Sequence, residues 1–528
     1  MVCVVQVEGN PSFVPSCGAL AQEGMRVWTD TPDVLQAARK VGISIPTMCY
    51  KNGYKPSTSC MVCVVQVEGD PSFVPSCGTL AQEGMRVRTN MPEVLSARKA
   101  AIELLLSEHA GDCEGPCRVG CPANMDIPLM LRQIVAGRLD LAIQTIKADI
   151  ALPAVLGRIC PAPCEKVCRR NAHDAAVSIC LLKKFVADWD LRRFDSYQPR
   201  CEPHGGKRAA IVGAGPCGLA AAYHLAQQGI RCVLFDKNKS AGGMLRYGIG
   251  EAALERDVLD MEINQILTLE HIEFRGGVEI RASSFESLCK DYDAVFVATG
   301  SDKNEFGLEM TNKSLKTDPR TYQTSRSNIF AGGTAIGRRR LCVRAVADGK
   351  DAAVSILHYL RGQNVVRADK RFNSRLGQLA EGEMEQFLAG AEKGLRCPAR
   401  KEDFLTLEAM VEARRCLHCD CGKADDCTLR KMAKLHQARQ QTYQGQRKPF
   451  IRQVSNSGLV FEPGKCILCG LCIEVARKYA NDIGLSFSGR GFKTQVAVPL
   501  GKVLDEALTR EAAEKCVEIC PTGAISKS

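Results

Sequence analysis

Between Lys207 and Val212 the chain reads Lys-Arg-Ala-Ala-Ile-Val, an apolar run of the length of a buried strand. Gly213-Ala-Gly215-Pro-Cys-Gly218 follows and opens an apolar stretch that predicts a helix through Gln228. A second strand, Arg231 to Phe235, ends in Asp236. Strand, glycine loop, helix and strand in this order predict a Rossmann-like unit. Elsewhere the pattern is helical. Pro32 to Val41 predicts a helix before the loop Ile45-Pro-Thr-Met-Cys-Tyr50. Ile127 to Ile150 predicts helices, with Pro128 in a first turn and Gly137 as a stop. Residues 366–445 are charged and expected to be helical, and Thr494 to Val498 is expected to be a strand. No apolar run reaches the roughly 18 residues of a membrane span.

Residues 1–27 recur almost unchanged as residues 61–87, differing only at Asn10/Asp70 and Ala19/Thr79. Two copies make a partial duplication, not a solenoid. A chain of 528 residues is long enough for several domains. Aromatic residues make up 5%, which argues against a stacking surface for single-stranded nucleic acid. The net charge of +11 fits a solvated basic surface, or a surface that docks an acidic electron carrier. The run Arg338-Arg339-Arg340 is too short to imply nucleic acid. The start Met1-Val-Cys-Val-Val-Gln-Val-Glu lacks the basic and apolar regions of a signal peptide.

The 28 cysteines change the picture most. They fall in tight groups with ligand spacings, which in a reducing cytoplasm means metal-bound thiolates and not disulfides. Cys49, Cys60, Cys63 and Cys77 supply the four thiolates of a [2Fe–2S] cluster. Cys3 and Cys17 match Cys63 and Cys77 but have no upstream pair. His109, Cys113, Cys117 and Cys121 are followed by Cys160, Cys164, Cys168 and Cys180. Cys416, Cys419, Cys421 and Cys427 lie close enough to enclose a [4Fe–4S] cluster or a zinc ion. Cys466, Cys469 and Cys472 with the remote Cys520-Pro make a ferredoxin-type [4Fe–4S] set. Cys201, Cys217, Cys232, Cys289, Cys342, Cys397 and Cys516 are left over.

Three resemblances give these groups a context. The segment around Cys49–Cys77 resembles the amino-terminal ferredoxin domain of the large iron–sulfur subunit of complex I and of related hydrogenase and formate dehydrogenase subunits. Gly489-Arg-Gly-Phe and the following strand resemble the matching carboxy-terminal cluster domain of that subunit. Residues 109–183 resemble the helical two-cluster domain of glutamate synthase small subunits and of dihydropyrimidine dehydrogenase. That resemblance implies one [4Fe–4S] cluster on Cys121, Cys160 and Cys164 and another on Cys113, Cys117 and Cys168. The family's first upstream cysteine is absent, and His109 is expected as the fourth ligand of the latter cluster. The family's Gln or Glu ligand of the other falls on Lys183, a poor ligand while protonated. Cys180, one helical turn earlier, is expected in its place.

Gly242-Gly243-Met-Leu-Arg246, Ala298-Thr299-Gly300 and Ala331-Gly332-Gly333-Thr334 resemble the FAD domain of the same family. The resemblance implies FAD on Gly213, Gly215, Gly218, Asp236, Gly242, Gly243, Arg246, Thr299, Gly300, Gly333 and Thr334. The family's second dinucleotide fold, which binds NADPH, has no counterpart between Gly300 and Ile329. Thr334 stands where the family has an acid that bonds the flavin ribityl chain.

These readings combine into a multidomain α/β and α+β protein. A β-grasp [2Fe–2S] ferredoxin occupies 1–98, a helical cluster domain 99–200 and a Rossmann-like FAD domain 201–365. A helical linker with a cysteine cluster covers 366–445, and a [4Fe–4S] ferredoxin-like domain 446–528. The expected function is electron transfer through FAD and three or four [4Fe–4S] clusters plus the [2Fe–2S] cluster, without catalytic side chains. Expected partners are an NADH-oxidising flavoprotein, formate dehydrogenase or hydrogenase type subunit, or a small electron carrier. The alternatives are an NAD(P)H-dependent oxidoreductase of the glutamate synthase small-subunit type and a scaffold that keeps only its clusters.

Overall fold

The computed structural model describes residues 4–7, 13–15, 27–28, 32–301, 306–312, 314–338, 341–366, 371–397, 404–443, 445–479, 484–499 and 502–527. Cys3, Cys17, Arg339 and Arg340, singled out in the sequence, lie outside them. The chain forms two compact units that interleave along the sequence. One comprises Met1–Glu114, Arg371–Gly390 and Cys419–Ser528; the other comprises Gly115–Lys370 and Ala391–His418.

In the first unit both repeat copies form the same three-stranded antiparallel sheet. Val64–Val67 lies between Phe73–Pro75 and Val87–Arg88, with Val64 opposite Pro75 and Gln66 opposite Arg88. Val4–Val7 repeats the register, Val4 opposite Pro15 and Gln6 opposite Trp28. The expected helix forms over Val34–Lys40, where Asp33 accepts the Gln36 N–H at 2.8 Å. Its first N–H groups, on Val34 and Leu35, donate to Thr79 and Ser76 carbonyls and seat it on the second copy. The helix Pro92–Ser107 carries buried Arg98, whose guanidinium donates twice to the Val64 carbonyl at 3.0 and 2.8 Å. A boundary at residue 98 cuts this helix, and the compact unit runs on to Glu114. The carboxy-terminal part pairs Leu459–Phe461 with Gln453–Val454 and Ile525–Lys527, next to helices Leu471–Tyr479 and Arg510–Ile519.

The second unit joins cluster helices to a dinucleotide fold over one apolar core. Ile127–Val135 starts with Asp126 as cap and Pro128 in its first turn. Gly137 ends it at φ +69°, which favours glycine, and Leu139–Lys147 continues. Five parallel strands follow in the order Ile329–Ala331, Ala294–Val297, Arg208–Val212, Arg231–Asp236 and Ile272–Gly276. The connection from Ala294–Val297 to its neighbour Ile329–Ala331 holds a small hairpin, Met310–Thr311 with Ser314–Leu315.

Residues 366–445 depart from the expected helical linker. Their described parts hold three short helices, Glu383–Leu388, Thr406–Arg414 and Thr428–Leu435, divided between the two units. Each has too few apolar positions to build a core, so each packs on the unit to which it belongs.

Glu262 ties the dinucleotide fold to the cluster helices. From the helix Arg256–Leu267 its carboxylate accepts the Ala154 and Val155 N–H groups, at 2.5 and 2.8 Å, and so caps Pro153–Ile159. Burial raises its pKa from 4.5 to about 7 against the pull of those two N–H groups. The folded state thus holds this proton more tightly than the unfolded state. Its contribution to stability is full below pH 4.5 and is lost as pH rises through about 7. Thermal unfolding compared between pH 4.5 and 7.5 should show a wild-type decline, relative to Glu262→Gln, worth about 3 kcal/mol at most. Parallel profiles would remove Glu262 as the titrating group.

Candidate functional site

Cysteine sulfurs gather at several places within each unit. Cys49, Cys60, Cys63 and Cys77 are all buried. The Cys60 and Cys77 thiols donate to Cys49 and hold it down at about 2; Cys77 does the same for Cys63, down to about 6. Four sulfurs close enough to share protons are a donor set that fits a metal cluster, because metal ions replace the shared protons.

In the same unit, Cys466, Cys469, Cys472 and Cys520 line a cavity of about 350 Å³ with no charged side chain on its wall. Cys516 stays off it and gives its thiol to the Cys472 carbonyl at 3.6 Å. Cys113, Cys421 and Cys427 form a third group. The Cys421 N–H donates to the Cys113 carbonyl at 3.3 Å. Burial pushes the Cys427 thiol up to about 12, with Cys421 and Cys113 as negative neighbours. Ser374 Oγ lies 3.1 Å from Cys113 Sγ, and Arg430 Nη2 bonds Glu114 at 2.6 Å, so two distant segments clasp Cys113. His109 is buried nearby in sequence; burial, then the charge of Lys465, lowers its pKa to about 3, so its imidazole is neutral. A neutral imidazole is the form that binds metal. Buried Lys465 contacts Glu462, and Cys421 is the foremost group that offsets the cost of burying its charge.

The boundaries of the compact units fall inside two expected groupings. Cys113 stands in the first unit, whereas Cys117 and Cys168 stand in the second. Cys421 and Cys427 stand with Cys113, whereas Cys416 is in the second unit and Cys419 begins the next segment of the first. The chain leaves the first unit after Glu114 and re-enters it at Arg371 and Cys419. In the second unit Arg170 donates to the Arg415 carbonyl, and Arg415 pairs with Asp174 at 3.1 Å. These bonds bring the segment of Cys416 to that of Cys168. His418 adopts φ +44° and its Nδ1 lies 3.5 Å from Arg132.

Cys121, Cys160, Cys164 and Cys180 line a second cavity, of about 330 Å³, with Lys183. A hydrogen bond from the Cys180 thiol lowers Cys160 to about 6, and burial raises Cys164 to about 12. Glu165 accepts the Cys180 N–H at 2.8 Å and pairs with Arg396 at 2.9 Å, fixing the start of the helix Ile179–Leu191. Ser374, Glu262 and Lys465 carried no sequence signal, because each acts on a partner far along the chain. Among the described residues no three Cys, His, Asp or Glu side chains converge tightly enough for a single metal ion.

The glycine segments form one backbone site. A Cβ on Gly213 (φ +108°) would strike the Ala298 carbonyl, and one on Gly243 would sit 2.9 Å from Gly215 Cα. No side chain caps the helix Pro216–Ala226, which leaves its first N–H groups to a phosphate. Gly218 packs under Gly213, and Gly242 donates to the Ala214 carbonyl at 2.8 Å. Asp236 accepts from Ala214 N and Asn238 N, both at 2.8 Å, so a ribose hydroxyl would share its oxygens with the loop. Arg246 is spent on the Ala241 carbonyl at 2.8 Å and on Asp260. Gly300, next to Thr299, approaches the Thr334 hydroxyl, which lies in the turn Gly333–Ile336. Cys217 packs beneath Gly332 and Gly333. No helix among the described residues is long and apolar enough to cross a membrane.

Comparison with known proteins places names beside these parts. A 2Fe-2S iron-sulfur cluster binding domain matches residues 33–92, and the dihydropyrimidine dehydrogenase domain II, 4Fe-4S cluster, matches 95–194. An NAD(P)-binding Rossmann-like domain matches 211–250, and the ferredoxin-like domain of NADH-quinone oxidoreductase subunit 3 matches 459–526. The NADP(+)-dependent formate dehydrogenase subunit beta of Moorella thermoacetica is 39% identical over 35% of this chain and 29% of its own length. A glutamate synthase [NADPH] small chain of Mycobacterium tuberculosis is 38% identical over 36% of this chain and 39% of its own. The NAD-dependent dihydropyrimidine dehydrogenase subunit PreT of Salmonella typhimurium is 29% identical over 49% of this chain and 62% of its own. The chain thus spans less than two thirds of each of these relatives. It is similar over part of its length to a glutamate synthase small chain, to PreT and to a formate dehydrogenase beta subunit, and a 2Fe-2S domain and a subunit-3-type ferredoxin domain match its residues 33–92 and 459–526.

Proposed function

We propose that this chain is an FAD-containing iron–sulfur subunit of a multi-subunit oxidoreductase, passing electrons between flavin and clusters. The observation that carries this reading is that Val343 lines the cavity of Cys121, Cys160, Cys164 and Cys180. Val343 begins the helix Cys342–Leu360, which follows the turn bearing Gly333 and Thr334. A cluster cavity and the glycine-lined dinucleotide site therefore meet at one helix of one unit. When bound, FAD would convert two-electron into one-electron steps, and each cluster would carry single electrons.

Gly213, Gly215, Gly218, Gly242 and Gly243 would admit the pyrophosphate, and Asp236 would hold the loop and a ribose hydroxyl. Thr299, Gly300, Gly333 and Thr334 would face the flavin side of the nucleotide. Cys49, Cys60, Cys63 and Cys77 would hold a [2Fe–2S] cluster. Cys121, Cys160, Cys164 and Cys180 would hold one [4Fe–4S] cluster, and Cys466, Cys469, Cys472 and Cys520 another. His109, Cys113, Cys421 and Cys427 would hold a third. Cys117, Cys168 and Cys416 would serve a fourth in the second unit. What the chain's own groups do is position and screen: the Ser374 N–H donates to Cys113 Sγ at 3.4 Å, Glu165 holds the helix of Cys180, and Glu262 holds the helix that ends at Cys160.

The names of the relatives point to a nicotinamide nucleotide at one end of the electron path, as NADPH in glutamate synthase and as NADP(+) in formate dehydrogenase. The hairpin between Ala294–Val297 and Ile329–Ala331 supports a donor site on another chain, such as an NADH-oxidising flavoprotein, formate dehydrogenase or hydrogenase subunit. The matched NAD(P)-binding model at 211–250 favours the second reading, direct reduction by NAD(P)H.

Rapid anaerobic mixing separates the two. Dithionite should bleach flavin and clusters of the purified chain, while NADPH or NADH alone should leave the flavin oxidised over seconds. Fast bleaching by NADPH would establish the second reading in its place. Flavin released on denaturation should be near one FAD per chain, with iron at roughly 14 to 18 atoms per chain. Iron without flavin would mark a wiring or scaffold subunit.

Two substitutions test the assigned residues. Gly213→Ala forces a Cβ into the Ala298 carbonyl and should weaken FAD at least about tenfold, with iron content unchanged. Cys421→Ala should remove about four irons and leave the Cys466–Cys520 cluster's paramagnetic signal intact. Retention of full iron would return Cys421 to the leftover cysteines.

A further inference from the structure

Among the described residues of the second unit, the buried cations and the nearly buried Arg158 have carboxylate partners, with one exception. Lys147 meets Asp190 at 2.8 Å, Arg158 meets Asp188 at 2.7 Å, and Arg170 meets Asp174 at 2.8 Å. Arg415 meets Glu412 at 2.9 Å. Lys183 is 5% exposed, and among the described residues no carboxylate pairs with it. Its neighbour Lys184 takes Asp188 at 2.8 Å, and Glu165 is committed to Arg396 and the Cys180 N–H. The groups that offset the cost of burying Lys183 are sulfurs: Cys180, Cys160, Cys121 and Cys164.

A buried ammonium facing four neutral thiols would be uncompensated, at a cost of several kcal/mol. A [4Fe–4S] core on four thiolates is an anion in both states, and reduction adds one further negative charge. The cavity that holds Lys183 therefore fits an anionic occupant. The cavity of Cys466, Cys469, Cys472 and Cys520 offers an internal comparison. It is nearly the same size and has four cysteines, but no charged side chain lines it. Cys180 and Lys183 lie three residues apart on one helix, so a single helical face presents both a sulfur and a countercharge.

We propose that Lys183 is the built-in countercharge of the [4Fe–4S] cluster on Cys121, Cys160, Cys164 and Cys180. It raises that cluster's reduction potential above that of the uncharged cavity. Lys183 is a positioning residue, not a ligand; Cys180 supplies the fourth sulfur. This inference rests on the cluster reading above. The redox step is simple: the oxidised cluster takes one electron from a reductant, and the fixed ammonium stabilises the charge gained.

The test is an anaerobic redox titration of the full chain with dithionite as reductant, followed by paramagnetic resonance and iron analysis. Lys183→Met should shift one [4Fe–4S] signal so that its oxidised-to-reduced ratio at fixed potential rises about tenfold, or about 59 mV for one electron. The other signals should stay in place, and Lys183→Arg should restore the parent value. Unchanged potentials at full iron content would overturn the proposal. If Lys183→Met loses iron while Lys183→Arg keeps it, the charge is needed for assembly, which supports the proposal. Loss in both would reduce Lys183 to packing and overturn it. Cys160→Ala tests the underlying reading separately: full iron there would mean that this cavity holds no cluster, whatever Lys183 does.

Discussion

Everything in this fold depends on keeping cysteine sulfurs together in places where water cannot stabilise their charge. Burial pushes Cys164 and Cys427 up to about 12, so these thiols resist ionising on their own. At Cys49 and Cys63 the opposite happens, because neighbouring thiols donate protons to them. Both effects say the same thing about the sites: the sulfurs are closer together and drier than free thiols tolerate. A metal cluster resolves that conflict by replacing protons with iron, and its binding energy then becomes folding energy. The core residues around Cys77 and Cys49, 0 and 1% exposed, are part of that bargain.

The same constraint explains the interleaved chain. A cluster does not need its ligands to be close in sequence, only in space. The first unit is left after Glu114 and resumed at Arg371 and Cys419. It is closed by contacts at the junction: Ser374 on Cys113, Leu376 N–H on Asp112 at 2.8 Å, and Arg430 on Glu114. These bonds cluster within a few residues of Cys113, so the reentry points are held where a shared centre would require them. The second unit is thereby an insertion between a cysteine and the two that join it.

What could be read from residues alone follows from this. Local signals were legible: Pro128 and Gly137 bracket a real helix, the stretch Pro32 to Val41 holds the helix Val34–Lys40, and the 213–218 loop follows the first expected strand. The cysteine sets with local spacing, Cys466–Cys472 among them, also come together as a group. The unit boundary between Glu114 and Gly115 was not legible, because nothing in the four residues from Cys113 to Cys117 marks it. The boundary inside the run Cys416–Cys427 was hidden for the same reason. Spacing reports what a short loop can enclose, and it is silent when the chain passes from one core to another within that loop. Lys183 was legible as a poor ligand; its lack of a carboxylate needed the packed helix to be seen.

The parallel sheet of the dinucleotide fold closes over the short connection between Val297 and Ile329. Val295 pairs directly with Ile329, and Val297 with Ala331, so the parallel sheet is complete across the point where a second domain would enter and leave. The hairpin that bridges it adds two short strands of its own and none to that sheet. The surfaces proposed for FAD are made of backbone: a Cβ on Gly213 would strike the Ala298 carbonyl, and one on Gly243 would sit 2.9 Å from Gly215 Cα. Such a site asks nothing of an inserted domain. What it does ask is a fixed relation to an electron acceptor, and that is supplied from below, where Glu262 and Val343 reach the helix and the cavity wall of the Cys160 group. The flavin-side glycines and the cluster-side cysteines are thus bound into one apolar core, and a partner need only deliver electrons to it.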